Sequence, residues 1–469
     1  MNMSNTKTDL GTEKVSRLLV RLAIPTITAQ LVNMLYNIVD RIYIGHIPEE
    51  GALALTGLGL CFPILMLVTA FSSLVGMGGA PQASIKMGQK DNEGAEAILG
   101  NCFIMLTVLA VILTIAFRMG GRELLYLFGA SDDTIGYALD YMNIYVLGTI
   151  SVMFSLGLNA FITTQGFTKI SMLTVVIGAA INIVLDPIFI FVFGMGVQGA
   201  ALATILSQTV SALWVLKFLF GSKTILKIRK KNMKVQMNIM LPVLALGLAP
   251  FIMTSTESLL NICFNTSLQK YGGDLAVGSM TILASCMQIC NLPLQGLAQG
   301  AQPIISYNFG AKNLDRVKEA FRLLLTSALC ASTGIWLVAM LAPGFFPSLF
   351  SGDAELIAYA SWAIRIYMGM AFVMGAQMAC QQTFVAIGAA KHSLFLALFR
   401  KIIVLIPLIY LLPHFFENKV FAVFLAEPVA DTIAAATTVT LFFLTFRRLS
   451  RQMEGKSGFS DLDFCRHVF

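Results

Sequence analysis

Twelve long apolar segments account for most of the chain, and they constrain its fold more than any other feature. Each is about 20 residues or longer, which is the length that a helix needs to cross a bilayer. Charged residues make up only 12% of the 469 positions, against about 25% in soluble domains. We therefore expect an all-α polytopic membrane protein. The predicted transmembrane helices lie at 17–42, 55–81, 97–117, 134–162, 172–194, 198–219, 238–266, 275–304, 322–345, 357–387, 395–414 and 419–446.

Lysine and arginine are concentrated in loops that alternate with loops containing few of them. The loops after even-numbered spans are basic, most of all in the run 223–234, and the carboxyl-terminal tail is basic too. Because basic loops remain on the inner side of a membrane, we expect both termini in the cytoplasm, with the chain in a cytoplasmic (inner) membrane. This asymmetry also explains the net charge of +7, so no nucleic-acid partner is predicted.

The two halves of the chain resemble each other at a shift of 222 to 225 residues. Residues 78–84 match 300–306, and 166–171 match 388–393. Six spans in each half make the copies parallel, which predicts a cavity between two six-helix bundles and transport by alternating access. The predicted parts are an amino-terminal lobe at 1–222, a basic cytoplasmic linker at 223–236, a carboxyl-terminal lobe at 237–450 and a cytoplasmic tail at 451–469.

Ionisable residues at membrane depth are costly and usually functional. Asp40 in the first span continues a polar face with helical spacing, and Asp186 in the fifth shares a face with Asn182. Carboxylate and amide oxygens suit a hard cation such as sodium, and desolvation makes a buried carboxylate equally suited to a proton. The residues of the first-span polar face are expected to line the cavity and bind substrate; they are Gln30, Asn33, Tyr36 and Asn37.

Acidic residues also occur in spans of the second half. Glu257 shares a polar face with Asn261, and both are predicted to contact a cationic substrate. Glu427 and Asp431 lie one turn apart in the last span. Two acids so close cannot both ionise cheaply, unless a basic side chain neutralises them as a structural pair. The candidate counter-charges are Arg365, Arg400 and Lys401.

Four motifs carry a resemblance to a known family. The first-span pattern from Pro25 to Gly45, the segment 182–187, the glycine- and alanine-rich segment 194–204, and the second-half segment 295–311 resemble motifs of the multidrug and toxic compound extrusion (MATE) family. The resemblance covers roughly residues 15–450, and the chain looks most like the MepA-like bacterial branch. It implies two parallel six-helix repeats that form a V-shaped, two-lobe transporter.

The resemblance also implies a site in the amino-terminal lobe. Family members with a cation site there use an Asp in helix one, an Asn and an Asp in helix five, and a Thr in helix six. The matching positions are Asp40, Asn182, Asp186 and Thr204, which would form the metal site only if sodium is the coupling ion. Other members pair a helix-seven carboxylate, matched by Glu257, with an Asp in helix ten, but the predicted tenth span contains no Asp.

The expected function is secondary antiport: export of cationic or amphipathic drugs in exchange for protons or sodium ions. The alternative is a lipid-linked oligosaccharide flippase, but an anionic substrate should require an arginine-rich cavity, and the embedded charges here are mainly acidic. No catalytic or nucleotide-binding motif is present, so an enzyme is not expected. Beyond the coupling ion, drugs and membrane lipid, we predict no cofactor and no obligatory protein partner.

Overall fold

The computed structural model describes residues 9–48, 51–349 and 353–454, and this part of the chain consists of helices and their connections. Ten of its helices are long and apolar enough to cross a membrane, and a pair bent by 52° forms one more span. One helical segment, Met237–Gly310, has 74 residues, which at 1.5 Å per residue would measure about 110 Å. Gly273 interrupts it with φ 65° and ψ −159°, so it contains two membrane helices.

The described part of the chain therefore contains twelve membrane helices, as predicted. They are α1 (Val15–Gly45), α2 (Gly51–Gly88), α3 (Asn92–Leu127), α4 (Ile135–Thr164), α5 (Thr168–Val192), α6 (Gly196–Phe220), α7 (237–272), α8 (274–310), α9 (Leu314–Leu341), α10 (Ala354–Tyr367 with Ala371–Ala386), α11 (Ala390–His414) and α12 (Lys419–Glu454).

Helix α9 ends earlier than the predicted span 322–345. Its last residue is Leu341, and Ala342 leaves the helix with φ −128° and ψ 62°. Pro343 follows, and a proline disfavours helical geometry in the residue before it. The apolar run continues past this point, so hydropathy alone placed the end of the span too late.

The internal repeat extends to backbone geometry. Lys90 and Lys312, 222 positions apart, are the only non-glycine residues with positive φ in the described chain, at 63° and 57°. Each is followed by a side chain that caps the next helix: Asp91 accepts a hydrogen bond from the Gly94 amide, and Asn313 accepts one from the Arg316 amide. The connection between the second and third helices of each half therefore has the same conformation.

Irregular helical turns occur in corresponding helices of the two halves. A 3₁₀ turn interrupts α4 at Val146–Gly148 and α10 at Ala371–Val373. A π-helical turn occurs in α5 at Ile188–Val192 and in α11 at Phe399–Leu405. Such turns shift the side chains that follow them, and they are frequent at functional sites.

Contacts divide the described chain into two compact units. One contains Ile24–Thr254, and the other contains Gly11–Ala23 and the residues from Ser255 onward. The division falls within α1 and α7, whereas chain order predicts lobes at 1–222 and 237–450. That division into lobes, with its linker, stays a prediction, and positions 455–469 of the predicted tail lie outside the described residues.

The basic connector between the halves is anchored to the first unit. The Gln165 side-chain oxygen accepts hydrogen bonds from the Thr224 hydroxyl at 2.8 Å and from the Leu226 amide at 2.9 Å. Arg229 donates to Glu96 at 2.6 Å, and Glu96 is buried near the start of α3. The connector is therefore held by specific polar contacts and is not only a solvated run of charge.

Two glycines bring α2 and the first part of α7 into backbone contact within this unit. A Cβ atom at Gly78 would collide with the Val243 carbonyl oxygen, and one at Gly247 would collide with the Leu74 carbonyl oxygen. Small residues allow this close approach, which is a common way for membrane helices to associate. It explains why the start of α7 belongs to the first unit.

Capping by Asp91 gives a testable prediction. Replacing Asp91 with Ala removes the acceptor for the Gly94 amide and the ion-pair partner of Lys86 at 3.0 Å. We expect the free energy of unfolding to fall by about 1 kcal/mol, as for other lost N-caps. The thermal unfolding midpoint of the purified protein in detergent measures the change, and an unchanged midpoint would show that the cap adds nothing.

The stabilisation that Asp91 provides should depend on pH. The Gly94 amide, with Lys86 as the next contributor, holds the pKa of Asp91 below its usual value. Its stabilisation is therefore fully present above the unfolded-state pKa of about 3.9 and is lost as pH falls through the lower folded-state pKa. The difference in melting temperature between wild type and Asp91→Ala should shrink over that range. Asn313→Ala is the control, because an amide cap does not titrate and its difference should stay constant.

Candidate functional site

The first unit holds two carboxyl groups side by side in its interior. Asp40 comes from α1 and is 8% exposed, and Asp186 comes from α5 and is fully buried. The two side chains lie within reach of each other. Asn182, one helical turn before Asp186, donates its amide N–H to the Asp186 Oδ1 atom at 3.3 Å. The structure thus brings together three of the four residues predicted to bind the coupling ion.

Three oxygen atoms of this group have no hydrogen-bond partner among the described residues. They are Oδ1 of Asp40, Oδ1 of Asn182 and Oδ2 of Asp186. A buried acceptor without a partner is costly, and most such groups in native proteins are satisfied. A proton on one carboxyl, or a small cation bound by several of these oxygens, would remove that cost. This is the chemistry expected of an ion-coupling site.

The fourth predicted residue, Thr204 on α6, is also buried. Its hydroxyl lies beside that of Tyr141 on α4, and Tyr141 is close to Asp40. Tyr36, predicted to bind substrate, lies beside Gln208 and also near Asp40. Hydroxyl and amide groups from α1, α4 and α6 therefore surround the carboxyl pair.

Pro187 explains the local backbone beside Asp186. Proline has no amide hydrogen and cannot donate the helical hydrogen bond to the carbonyl four residues earlier. The π-helical turn Ile188–Val192 begins at the next residue. The chain therefore leaves regular α-helical geometry directly after Pro187, one residue beyond Asp186.

The predicted polar face of α1 is only partly buried. Gln30 and Tyr36 are half-buried, and Asn33 and Asn37 are exposed. The Asn37 side chain donates to the Asn33 carbonyl oxygen at 2.7 Å. These residues are accessible to a ligand while Asp40, farther along the same face, is enclosed. Their role in substrate binding stays a prediction.

Glu257 in the second unit pairs with a buried base. Its carboxylate accepts a hydrogen bond from Lys401 on α11. The Lys401 side chain is 3% exposed, whereas that of Glu257 is 57% exposed. Asn261, one turn later on α7, is exposed as well. The structure places no Asp of α10 beside Glu257, because residues 354–386 contain none; a lysine lies there.

The two acids of α12 share one arginine. Arg400 donates to Asp431 through Nε at 2.9 Å and through Nη2 at 2.7 Å, and to Glu427 through Nη2 at 2.9 Å. Both carboxylates are buried. The expected counter-charge is therefore Arg400, whereas Arg365 is exposed on α10. Arg400 and Lys401, which are adjacent on α11, therefore form ion pairs with different acids.

Sequence reasoning did not select Tyr141 or Gln208 for the site. Tyr141 and Tyr145 stack with ring centroids 5.9 Å apart, and their spacing of four is the one signal that marks them as facing together. Their proximity to Asp40 depends on the packing of α4 and α6 against α1. The same holds for the pairing of Glu257 with Lys401, 144 positions away.

Comparison with known proteins identifies the family. The family profile named MatE matches residues 25–188 and 250–411, which together are more than half of the chain. The two matched stretches begin 225 positions apart, in agreement with the internal repeat. Both include candidate site residues: Asp40 and Asp186 in the first, Glu257 and Arg400 in the second.

Curated relatives align over nearly the whole chain. The multidrug export protein MepA of Staphylococcus haemolyticus is 24% identical over 90% of this chain and 92% of its own length. MepA of Staphylococcus aureus strain MSSA476 is 23% identical over 93% of this chain and 95% of its own. The similarity to MepA proteins agrees with the branch indicated by the motifs.

Solved structures share the fold. A MATE protein crystallised with MaL6 superposes with a TM-score of 0.88 at 24% identity, covering 96% of this chain and 100% of that one. A MOP superfamily transporter from Pyrococcus furiosus superposes with a TM-score of 0.85 at 25% identity, covering 94% of this chain and 99% of that one. That transporter is described as having a binding pocket of reverse polarity, which suggests a different function. With its profile matched in both halves and its fold shared, this multi-pass membrane protein belongs to the MatE family, the multidrug and toxic compound extrusion transporters.

Proposed function

We propose that the protein is a secondary active antiporter that exports cationic or amphipathic drugs in exchange for protons or sodium ions. The observation that carries this proposal is the group of buried oxygens on Asp40, Asn182 and Asp186 that have no hydrogen-bond partner in the described part of the chain. The names of the MepA relatives, which are multidrug export proteins, support drugs as the cargo. Because transporters align with at least 90% of this chain, we do not expect it to be an enzyme.

The ion would bind at the carboxyl pair of the first unit. With both Asp40 and Asp186 ionised, two like charges lie together away from water, which is unfavourable. A proton on either carboxyl relieves this repulsion and allows a hydrogen bond between them. A sodium ion would instead use the oxygens of Asp40, Asn182 and Asp186 together with the Thr204 hydroxyl. Either ion changes the charge of the site by one.

Coupling to the drug follows from thermodynamic linkage. If the ion lowers the affinity for the drug, the drug lowers the affinity for the ion by the same factor. The polar face of α1, with half-buried Gln30 and exposed Asn33 and Asn37, lies on the helix that carries Asp40. A change in the conformation of α1 on ion binding would therefore reach the proposed drug contacts directly.

Acidic side chains favour cationic cargo. The Glu257 carboxylate is more than half exposed, so a ligand can approach it, and Asn261 adds a neutral polar contact nearby. The proposed setting is a bacterial cytoplasmic membrane with both termini in the cytoplasm, and no protein partner is required. The alternative, flipping of a lipid-linked oligosaccharide, would need basic groups at the binding surface for its phosphates.

Efflux from membrane vesicles tests the proposal. Vesicles are loaded with a fluorescent cation, and a proton gradient and a sodium gradient are imposed in separate experiments. We expect efflux to follow one of them, because the exchanged ion supplies the driving force. For a one-for-one exchange, a tenfold ion gradient sustains a drug gradient of about tenfold. A lack of response to both gradients would contradict antiport, and transport of a lipid-linked sugar would then be measured.

A further inference from the structure

The triad of Arg400, Glu427 and Asp431 in the second unit contains one positive and two negative charges when all three groups are ionised. All three side chains have low exposure, at 17%, 7% and 2%. An uncompensated charge in the interior of a membrane protein is costly. The nearest further base, Lys401, is paired with Glu257. The triad therefore has an excess of one negative charge.

The hydrogen bonds distinguish the two acids. Arg400 donates two hydrogen bonds to Oδ1 of Asp431 but only one to Oε1 of Glu427. The second oxygen of Glu427, Oε2, is buried and has no hydrogen-bond partner among the residues that the structure describes. Asp431 is thus the fixed counter-ion of Arg400, whereas Glu427 has an open acceptor.

The internal repeat gives independent support. Helix α6 begins at Gly196 and α12 begins at Lys419, 223 positions later. At this shift Glu427 corresponds to Thr204, the α6 residue beside the carboxyl pair of the first unit. The second half therefore carries a carboxylate at the repeat position of a candidate ion-site residue.

We propose that the carboxyl-terminal unit has an ion-coupling site of its own, at which Glu427 takes up one proton on Oε2. This inference rests on the proposed antiport and adds one proton to its cycle, besides the ion bound at Asp40 and Asp186. Proton uptake forms an O–H bond at Oε2 and converts the triad from a net charge of −1 to neutral. Arg400 then has Asp431 as its charged partner within the triad, and its attraction to Glu427 weakens although Oε1 can still accept its hydrogen bond.

Other groups around Glu427 affect the pH at which it takes up the proton. Arg400 and Lys401 bring positive charge to its surroundings, and Asp431 and Glu257 bring negative charge. The titratable and charged groups that face it come from α7, α10, α11 and α12; they are Glu257, Tyr367, Arg400, Lys401 and Asp431.

Infrared spectroscopy of the purified protein tests proton uptake directly. A neutral carboxylic acid has a carbonyl stretch that a carboxylate lacks, and we expect a pH-dependent band of this kind in wild type. Glu427→Gln should remove one component of the band. Glu417→Gln is the matched control, because Glu417 is exposed in the connection between α11 and α12, and in spectra taken near neutral pH it should leave the band unchanged. Identical spectra for wild type and Glu427→Gln would overturn the proposal.

A second variant covers the case in which Glu427→Gln does not fold. Asp431→Asn leaves Arg400 and Glu427 as a balanced pair, so Glu427 should stay ionised and the same band component should be missing. Retention of the component in a folded Asp431→Asn protein would contradict the charge argument.

The voltage dependence of transport tests the role of this proton in the cycle. Exchange of two monovalent cations, the ion of the first unit and the Glu427 proton, for one tetraphenylphosphonium ion moves net charge, so a potential imposed on proteoliposomes should alter the wild-type rate. Exchange in Glu427→Gln should be electrically neutral and insensitive to the potential. If wild type and Glu427→Gln respond equally to the potential, the Glu427 proton takes no part in the transport cycle, although antiport stands. If neither a proton gradient nor a sodium gradient drives wild-type efflux, the proposed antiport itself is contradicted.

Discussion

Asp40→Asn is expected to abolish gradient-driven drug efflux while the protein still inserts into the membrane. The amide keeps the size of the side chain, but it neither binds a proton at neutral pH nor contributes a negative charge to a cation site. Asp186 would lose its acidic neighbour and retain Asn182 at 3.3 Å. A pH difference of one unit, which can sustain a drug gradient of about tenfold in a one-for-one exchange, should sustain none in the variant.

Vesicle efflux, normalised to the amount of protein in the membrane, measures this effect. Asp140→Asn is the control, because Asp140 is an exposed aspartate on α4 in the same unit, and its efflux should equal that of wild type. Full gradient-driven efflux in Asp40→Asn would show that ion coupling does not require the carboxyl pair.

Gly247→Leu is expected to prevent the first unit from folding stably. Its Cβ would collide with the backbone carbonyl of Leu74, and the rest of the side chain would force α7 away from α2. Overpacking of a well-packed interior typically costs 1–3 kcal/mol, occasionally more, and a collision with backbone has little room to relax. We expect most of the protein to be lost as aggregate or by proteolysis.

The yield of monodisperse protein in detergent and its melting temperature measure this prediction. Gly120→Leu is the matched control, since Gly120 is also in a helix but a Cβ there would have no neighbour within 4 Å. The control should fold, and leucine has the better helix propensity. A normal yield of Gly247→Leu would mean that α2 and α7 do not require this close contact.

Hydropathy predicted the twelve helices because bilayer thickness sets the length of each apolar run. The helix ends were less predictable. The predicted ninth span ran past Leu341, since hydropathy does not register the effect of Pro343 on its neighbour. Sequence identified the connector only as a basic linker, whereas Arg229 pairs with Glu96 from α3. That pairing depends on the packing of segments far apart in the chain.

In the candidate sites, contacts within one helix were predictable from sequence, whereas contacts between helices were not. Asn182 and Asp186 lie one turn apart on a single helix, so their common face follows from helical geometry. The partners of Glu257 and Glu427 come from another helix. Lys401 and Arg400 are adjacent in sequence, yet they bind different acids, and the π-helical turn Phe399–Leu405 alters their directions.

The sequence by itself therefore determines the number of membrane helices, the internal repeat and the acids buried within the membrane. Each of these depends on local composition, on spacing within one helix or on self-similarity along the chain. Only the tertiary structure decides which acids meet, which base neutralises which acid, and which oxygens are left without a partner. Those outcomes depend on the depth and rotation of separate helices, which are set by side-chain packing and by close contacts such as the one at Gly247.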